Sequence, residues 1–269
     1  MGYAVLAPPA PLSDWVESIW DWDMPQQAHR FERMLPSACA QLTINLAEDE
    51  TRVYDDALNC KRNAGAALDA PSHRSFVIDT AEQVAVCGVV FKPGAAAPLF
   101  RQRMDALANG QIDLDDLLPG HGRDLRTRLL EAGSAARRLA ILQRWLEALA
   151  RDARPQPAIA HALHAFEASP QIGRIGAIAA DCGWSPRRFS QCFRERVGMS
   201  PKRYARLQRF HRVAAIAQRG GRIDWAGVAA DAGFHDQPHL VREFRAFSGF
   251  SPTAYLAQRG PWPGHIPLD

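Results

Sequence analysis

Lysine is almost missing from this chain: Lys61, Lys92 and Lys202 are three of 32 basic residues in 269. Positive charge is carried by arginine, so no single arginine is informative by itself. Cysteine is sparse too: Cys39, Cys60, Cys87, Cys182 and Cys192 are odd in number, widely spaced and without a CxxC pair. That excludes a disulfide framework and fits free thiols in a reducing cytoplasm. Long apolar runs are absent: the longest, Val84–Phe91, is far short of the roughly 18 residues that cross a bilayer. No basic stretch followed by an apolar one opens the chain, so no secretory leader is expected. GxSxG, the P-loop, a GxGxxG after a strand and HExxH are all missing, which argues against an enzyme. His161 and His164 lie three apart with nothing to complete a ligand set, so neither metal nor cofactor is expected. What is present is a globular composition, 47% hydrophobic and 23% charged, which excludes disorder and has the length of about two domains.

Charge is unevenly placed. Residues 1–155 hold 17 basic and 21 acidic residues, a net −4; residues 156–269 hold 15 and 8, a net +7. The basic back half is the part expected to meet a polyanion. The patterning predicts an α+β chain. Leu12, Trp15, Val16, Ile19 and Trp20 fall on one face of a helix over 12–20, capped by Ser13. Short β-like runs follow at Phe31–Leu35, Gln41–Leu46, Thr51–Tyr54, Ser75–Thr80 and Gln83–Lys92, with period two clearest at Leu42, Ile44 and Leu46. They predict a small, mostly antiparallel β domain. After Lys92-Pro-Gly94 the pattern turns helical at Ala95–Leu107, Asp113–Leu118, Arg123–Glu131 and Ser134–Ala150, the last a candidate coupler or dimer surface. Arg151–Pro157 is polar, has two prolines and reads as a linker. The expected division is 1–122 β-rich regulatory domain, 123–157 helical connector and 158–269 all-α domain.

The back half contains a duplication. Ile178-Ala-Ala-Asp-Cys-Gly-Trp184 repeats as Val228-Ala-Ala-Asp-Ala-Gly-Phe234, 50 residues on. At an offset of 51, Phe193 matches Phe244, Gly198 matches Gly249, Ser200-Pro201 matches Ser251-Pro252, and Tyr204 matches Tyr255. Each copy reads as helix, glycine turn, helix. Ser185-Pro186 and Asp236 cap the second helices, which turn Phe189 and Phe193, or Leu240 and Phe244, inward. This is a helix-turn-helix pattern, whose second helix enters a DNA major groove. Lys202–Arg219 predicts a basic spacer helix about 26 Å long.

These residues resemble the DNA-binding domain of AraC/XylS-type transcriptional regulators. The resemblance covers about Ile172–Gln258 and rests on the paired Ala-x-x-Gly-aromatic turns, Gly233-Phe234-x-Asp236-Gln237 and Gly249-Phe250-Ser251-Pro252-x-x-Tyr255. It implies two helices reading adjacent major-groove segments of double-stranded promoter DNA. Carried over by position, Arg187, Ser190 and Gln191 of the first helix and Gln237, His239 and Arg242 of the second face bases. Arg188, Arg194, Arg196, Lys202, Arg206 and Arg245 are expected at phosphates. Pro238 and the short Ser190 depart from a rich set of base readers. More loosely, Trp15–Trp20, Glu32–Pro36 with Cys39, and Gly88–Gly94 resemble a variable N-terminal domain found ahead of this module, which implies regulation by a small-molecule effector or a partner. Trp20, Trp22 and Phe31 are the candidate effector contacts, with core packing as their other reading. RNA polymerase and a second copy of the chain are further candidate partners, a membrane is not, and the cytoplasm is the expected location. The competing functions are a DNA-targeted enzyme or repair protein that transfers an alkyl group to Cys39, and an architectural DNA binder without a ligand.

Overall fold

The structure, a computed structural model, describes residues 2–168 and 175–268; Ile172, where the resemblance begins, lies outside them. Strands β1 (Gly2–Leu6), β2 (Val16–Asp23), β3 (Phe31–Met34), β4 (Gln41–Asn45), β5 (Glu50–Tyr54), β6 (Cys60–Ala64), β7 (Ala66–Asp69), β8 (Phe76–Asp79) and β9 (Ala85–Phe91) come first. Helices α1 (Ala96–Phe100) and α2 (Met104–Leu107), strand β10 (Gln111–Asp113), and helices α3 (Leu114–Leu117), α4 (His121–Leu130) and α5 (Ala135–Ala150) follow. Then come α6 (Pro157–Ala168), α7 (Ile175–Asp181), α8 (Pro186–Val197), α9 (Pro201–Arg219), α10 (Trp225–Asp231), α11 (Gln237–Ser248), α12 (Pro252–Gln258) and a closing strand, β11 (His265–Leu268). The fold is α+β, as the patterning predicts.

The strands form two antiparallel sheets, ordered β1-β2-β9-β4-β7-β10 and β11-β3-β8-β5-β6. One face of the six-stranded sheet carries Ile19, Leu42, Ile44, Leu68, Val89 and Phe91, which pack on Leu125, Leu129, Leu142 and Leu146 of α4 and α5. Asp21 on the same face is buried and held by Arg138 of α5 through two hydrogen bonds of 2.5 and 2.8 Å. The helix expected over 12–20 is instead a 3₁₀ turn, Leu12–Asp14, followed by β2. A bulge between Val16 and Ser18 shifts the alternation by one residue. Val16 and Ile19 therefore share a face at a spacing of three, which imitates a helix. The predicted helix 95–107 is two, because Arg101 takes φ 53° in the left-handed region and ends α1.

The second core belongs to the helices. Phe166, Phe189, Phe193, Tyr204, Phe210, Phe244 and Tyr255 are essentially excluded from water. α9, expected to be a basic spacer, is largely buried through Tyr204, Leu207, Phe210, Val213 and Ala217. The chain does not divide cleanly at residue 157. Leu35 and Ala38, from the loop after β3, insert into the helical core. β11 returns from the helices to pair with β3, setting His265 opposite Met34 and Leu268 opposite Phe31.

Candidate functional site

The two repeats fold alike. Gly183 and Gly233 have φ +67° and +74°, where a side chain would be strained. In each turn the residue after the glycine bonds back five residues, Trp184 N–H to the Ala179 carbonyl (3.0 Å) and Phe234 N–H to Ala229 (2.9 Å). The next helix starts on a side-chain cap: Ser185 accepts from Arg188 N–H at 3.3 Å, and Asp236 accepts from His239 N–H at 2.6 Å. Phe189, Phe193 and Val197 anchor α8, and Leu240, Phe244 and Phe247 anchor α11, leaving the opposite faces to solvent.

Those exposed faces carry Arg187, Arg188, Gln191 and Arg194 on α8, and Gln237, Arg242 and Arg245 on α11. Ser190, Arg196 and His239 are half-buried. Three residues are partly committed within the protein. Arg188 stacks over Trp184 at 5.0 Å, Gln191 bonds Glu195 at 3.1 Å, and the His239 ring packs edge-on to Phe234. Arg206 is the clearest departure: its guanidinium is paired with Glu243 at 2.5 Å and lies over Phe247, so it braces α9 against α11. Lys202, Arg206, Arg209, His239, Arg242 and Glu243 line one groove between α9 and α11. Glu243 pairs with both Arg206 and Arg209 there, and Lys202 and Arg242 remain exposed. Glu243 and Arg209 carry no sequence signal, since a charged residue on a helix reads as solvated until its neighbours are placed.

A second feature lies between the sheets. The face of the six-stranded sheet opposite its helices bears Ser18, Trp20, Trp22, Gln41, Thr43 and Asp69, and it encloses a cavity of 380 Å³ with the inner face of the second sheet. Gly88 gives the Trp20 indole its place, since a Cβ there would meet the ring at 2.7 Å. Tyr3, Trp22 and Trp262 stack edge-on at centroid distances of 5.1–5.8 Å at one end. Of the three candidate effector contacts, Trp20 and Trp22 line the cavity and Phe31 does not. Alternation along β3 points Glu32 and Met34 inward and Phe31 outward, against Tyr54. Burial works to raise the Glu32 pKa, but hydrogen bonds and charge from His265 (2.8 Å) and His29 (2.6 Å) outweigh it and hold the group low. Asp69 accepts from Thr43 (3.1 Å) and Gln111 (2.8 Å), and burial pushes its carboxyl up to about 6. Cys39 also lines the cavity. Burial, with Glu17 at 3.9 Å, pushes its thiol up to about 12, which suppresses the thiolate that alkyl transfer requires. Asp69, Glu32, Tyr3, Gln111 and Trp262 were not singled out by sequence, because nothing local marks residues that only the sheet register brings together.

Among the described residues no His/Cys/Asp/Glu group is placed to hold a metal, and no helix is long and apolar enough to cross a membrane. Residues 4–113 match the family described as "Domain of unknown function (DUF6597)". Residues 178–258 match "Helix-turn-helix domain". No curated protein matches the chain. Solved structures similar to it include a transcriptional regulator (AraC-type DNA-binding domain-containing proteins) from Chromobacterium violaceum, at 25% identity over 39% of this chain and 96% of that one, TM-score 0.35. ToxT from Vibrio cholerae is similar at 10% identity over 96% and 98%, TM-score 0.48. Unsaturated fatty acid bound ToxT from Vibrio cholerae strain SCE256 is similar at 10% identity over 94% of each chain, TM-score 0.45. With two capped helix pairs in tandem and the family match over the same stretch, residues 178–258 form a helix-turn-helix domain of two successive units.

Proposed function

We propose that this protein is a sequence-specific regulator of transcription that sets α8 and α11 into adjacent major-groove segments of promoter DNA. Its β part, about residues 1–122 with the 123–157 connector, adjusts that binding when a small molecule enters the inter-sheet cavity. The observation that carries the reading is the pair of capped helices, anchored by aromatics on one side and exposing arginine and glutamine on the other, that precede and follow one buried helix in the chain. Arg187, Ser190, Gln191, Gln237, His239 and Arg242 are the proposed base-facing set, with Arg242 the foremost because it is exposed in the groove. Arg188, Arg194, Arg196, Lys202 and Arg245 are proposed at phosphates, which position the protein without reading sequence. RNA polymerase and a second copy of the chain are proposed partners, and the cytoplasm is the proposed setting.

The coupling route runs through β3. Its inner residues Glu32 and Met34 wall the cavity, while Arg33, on the other face, reaches the last turn of α11 at the Ser248 carbonyl (3.5 Å) and lies over Phe250. α5, the coupler expected from sequence, packs instead on the far side of the six-stranded sheet from the cavity. A ligand acts through this route only by binding two arrangements of β3 unequally.

The test is selection of bound DNA from a random pool, followed by anisotropy titrations. Arg242→Ala is expected to relax one base position, by about 1–3 kcal/mol of discrimination. Lys202→Ala is expected to weaken all sequences alike and lower the salt slope by about one. Failure to enrich any sequence, or equal loss of specific and random DNA with Arg242→Ala, overturns the reading.

A further inference from the structure

We propose that the inter-sheet cavity takes a monocationic ligand with an apolar aromatic body, an arylalkylamine or its like, whose ammonium is held by Asp69 and whose body lies against Trp20 and Trp22. This rests on the ligand-responsive reading above and names the ligand's chemistry.

The wall's charges decide the sign. Its basic side chains are Arg52 and His265. Arg52 is already bound by Glu48, by Glu50 at 2.6 Å and by Glu82 at 3.6 Å. His265 is bound by Glu32 at 2.8 Å. Asp69 differs: the side chains bonded to it, Thr43 and Gln111, are both neutral. Each carboxylate oxygen accepts one of those bonds and retains a further acceptor site. Lys61, the nearest contributor of positive charge, is exposed and donates to the Gln111 carbonyl at 2.8 Å. An ammonium entering the cavity meets an unneutralised carboxylate; a carboxylate of the same shape meets the same group and finds both basic side chains engaged. Burial that lifts the Asp69 carboxyl to about 6 is the mark of a carboxylate short of a charged partner.

The register supplies the body's site and the ligand's length. Gln41 of β4 and Gln111 of β10 both stand opposite Asp69 of β7, making a polar row at one end. Trp20 and Trp22 of β2 face the same space from three strands away and two and four residues further along, about 16–20 Å between backbones. Their indole rings give the ligand's aromatic body surfaces to stack on. The cavity's 380 Å³ falls within the range of about 300–1,000 Å³ usual for small-molecule sites.

The experiment titrates the full chain with 6-phenylhexylamine, 6-phenylhexan-1-ol and 7-phenylheptanoate, long enough to reach from Asp69 toward the tryptophans, reading tryptophan fluorescence. The amine is expected to bind at least about tenfold tighter than either isostere, as a charge-assisted hydrogen bond requires. Asp69→Asn is expected to abolish the preference, and Gln111→Lys, which supplies an internal cation beside Asp69, is expected to do so by a second route. Equal or tighter binding of the alcohol or the carboxylate, an unchanged amine preference in both variants, or no saturation by the amine overturns the proposal. Val90→Trp, which fills the cavity, tests the underlying reading separately: operator affinity unmoved by that substitution sinks the ligand-responsive model, whatever the probes do.

Discussion

Glu243 carries more of the helical domain's electrostatics than any residue the sequence marks out. It is 7% exposed and holds Arg206 and Arg209 at once. Arg209, equally buried, also donates to the Gly233 carbonyl at 2.9 Å and lies 4.7 Å over the Phe234 ring, so it pins the turn of the second unit. Removing one partner of such a pair leaves a charge stranded out of water. Glu243→Leu, which strands the buried Arg209, is therefore expected to lower stability by about 3–5 kcal/mol in urea unfolding, and Glu243→Leu with Arg209→Met is expected to recover much of that loss. A double variant no more stable than the single one would refute the pairing as the cause. Arg206 shows why such residues escape a reading by position. Its spacing fits a phosphate contact, but a carboxylate 37 residues away takes its guanidinium.

Helix α8 begins where it does because Ser185 closes its first turn and Pro186 follows with no amide to satisfy. Ser185→Ala is expected to cost about 1 kcal/mol in thermal unfolding, an unchanged midpoint being the contrary result. Caps, turn glycines and the aromatic anchors at a spacing of four are local chemistry, so α8 and α11 are legible in the sequence to the residue at their starts. β4, β8 and β9 are legible for the same reason, through alternation or a dense apolar run. β2 is not, because the bulge after Val16 resets its alternation and mimics a helix face. β6 is not either: Cys60-Lys-Arg-Asn-Ala64 lies on an exposed edge and has no apolar side to reveal it. The cavity is the least legible feature, since His265 and Glu32 meet across 233 residues of chain.

The two halves of the molecule meet at a contact sensitive to acid. The backbone carbonyl of Pro36, in the loop after β3, faces His211 of α9, and burial pushes the His211 pKa down to about 4 while that hydrogen bond works the other way. The folded state therefore binds fewer protons here than the unfolded chain between about pH 6.5 and 4, and stability falls as pH drops through that window. The loss attributable to His211 reaches about 3 kcal/mol by pH 4. Thermal midpoints measured from pH 7 to 4 should fall less steeply in His211→Gln than in the parent; parallel curves would remove His211 as the cause. Besides this contact, the helical half is joined to the β half by the 151–156 segment before α6, by the β11–β3 pairing after α12, by Leu35 and Ala38 in the helical core, and by α8 packed on α1 and α2. A body gripped at this many points moves as one block and does not swing loose. A ligand that tugs at β3 would therefore re-aim the two exposed helices together, altering their bearing on a duplex and leaving their mutual spacing intact.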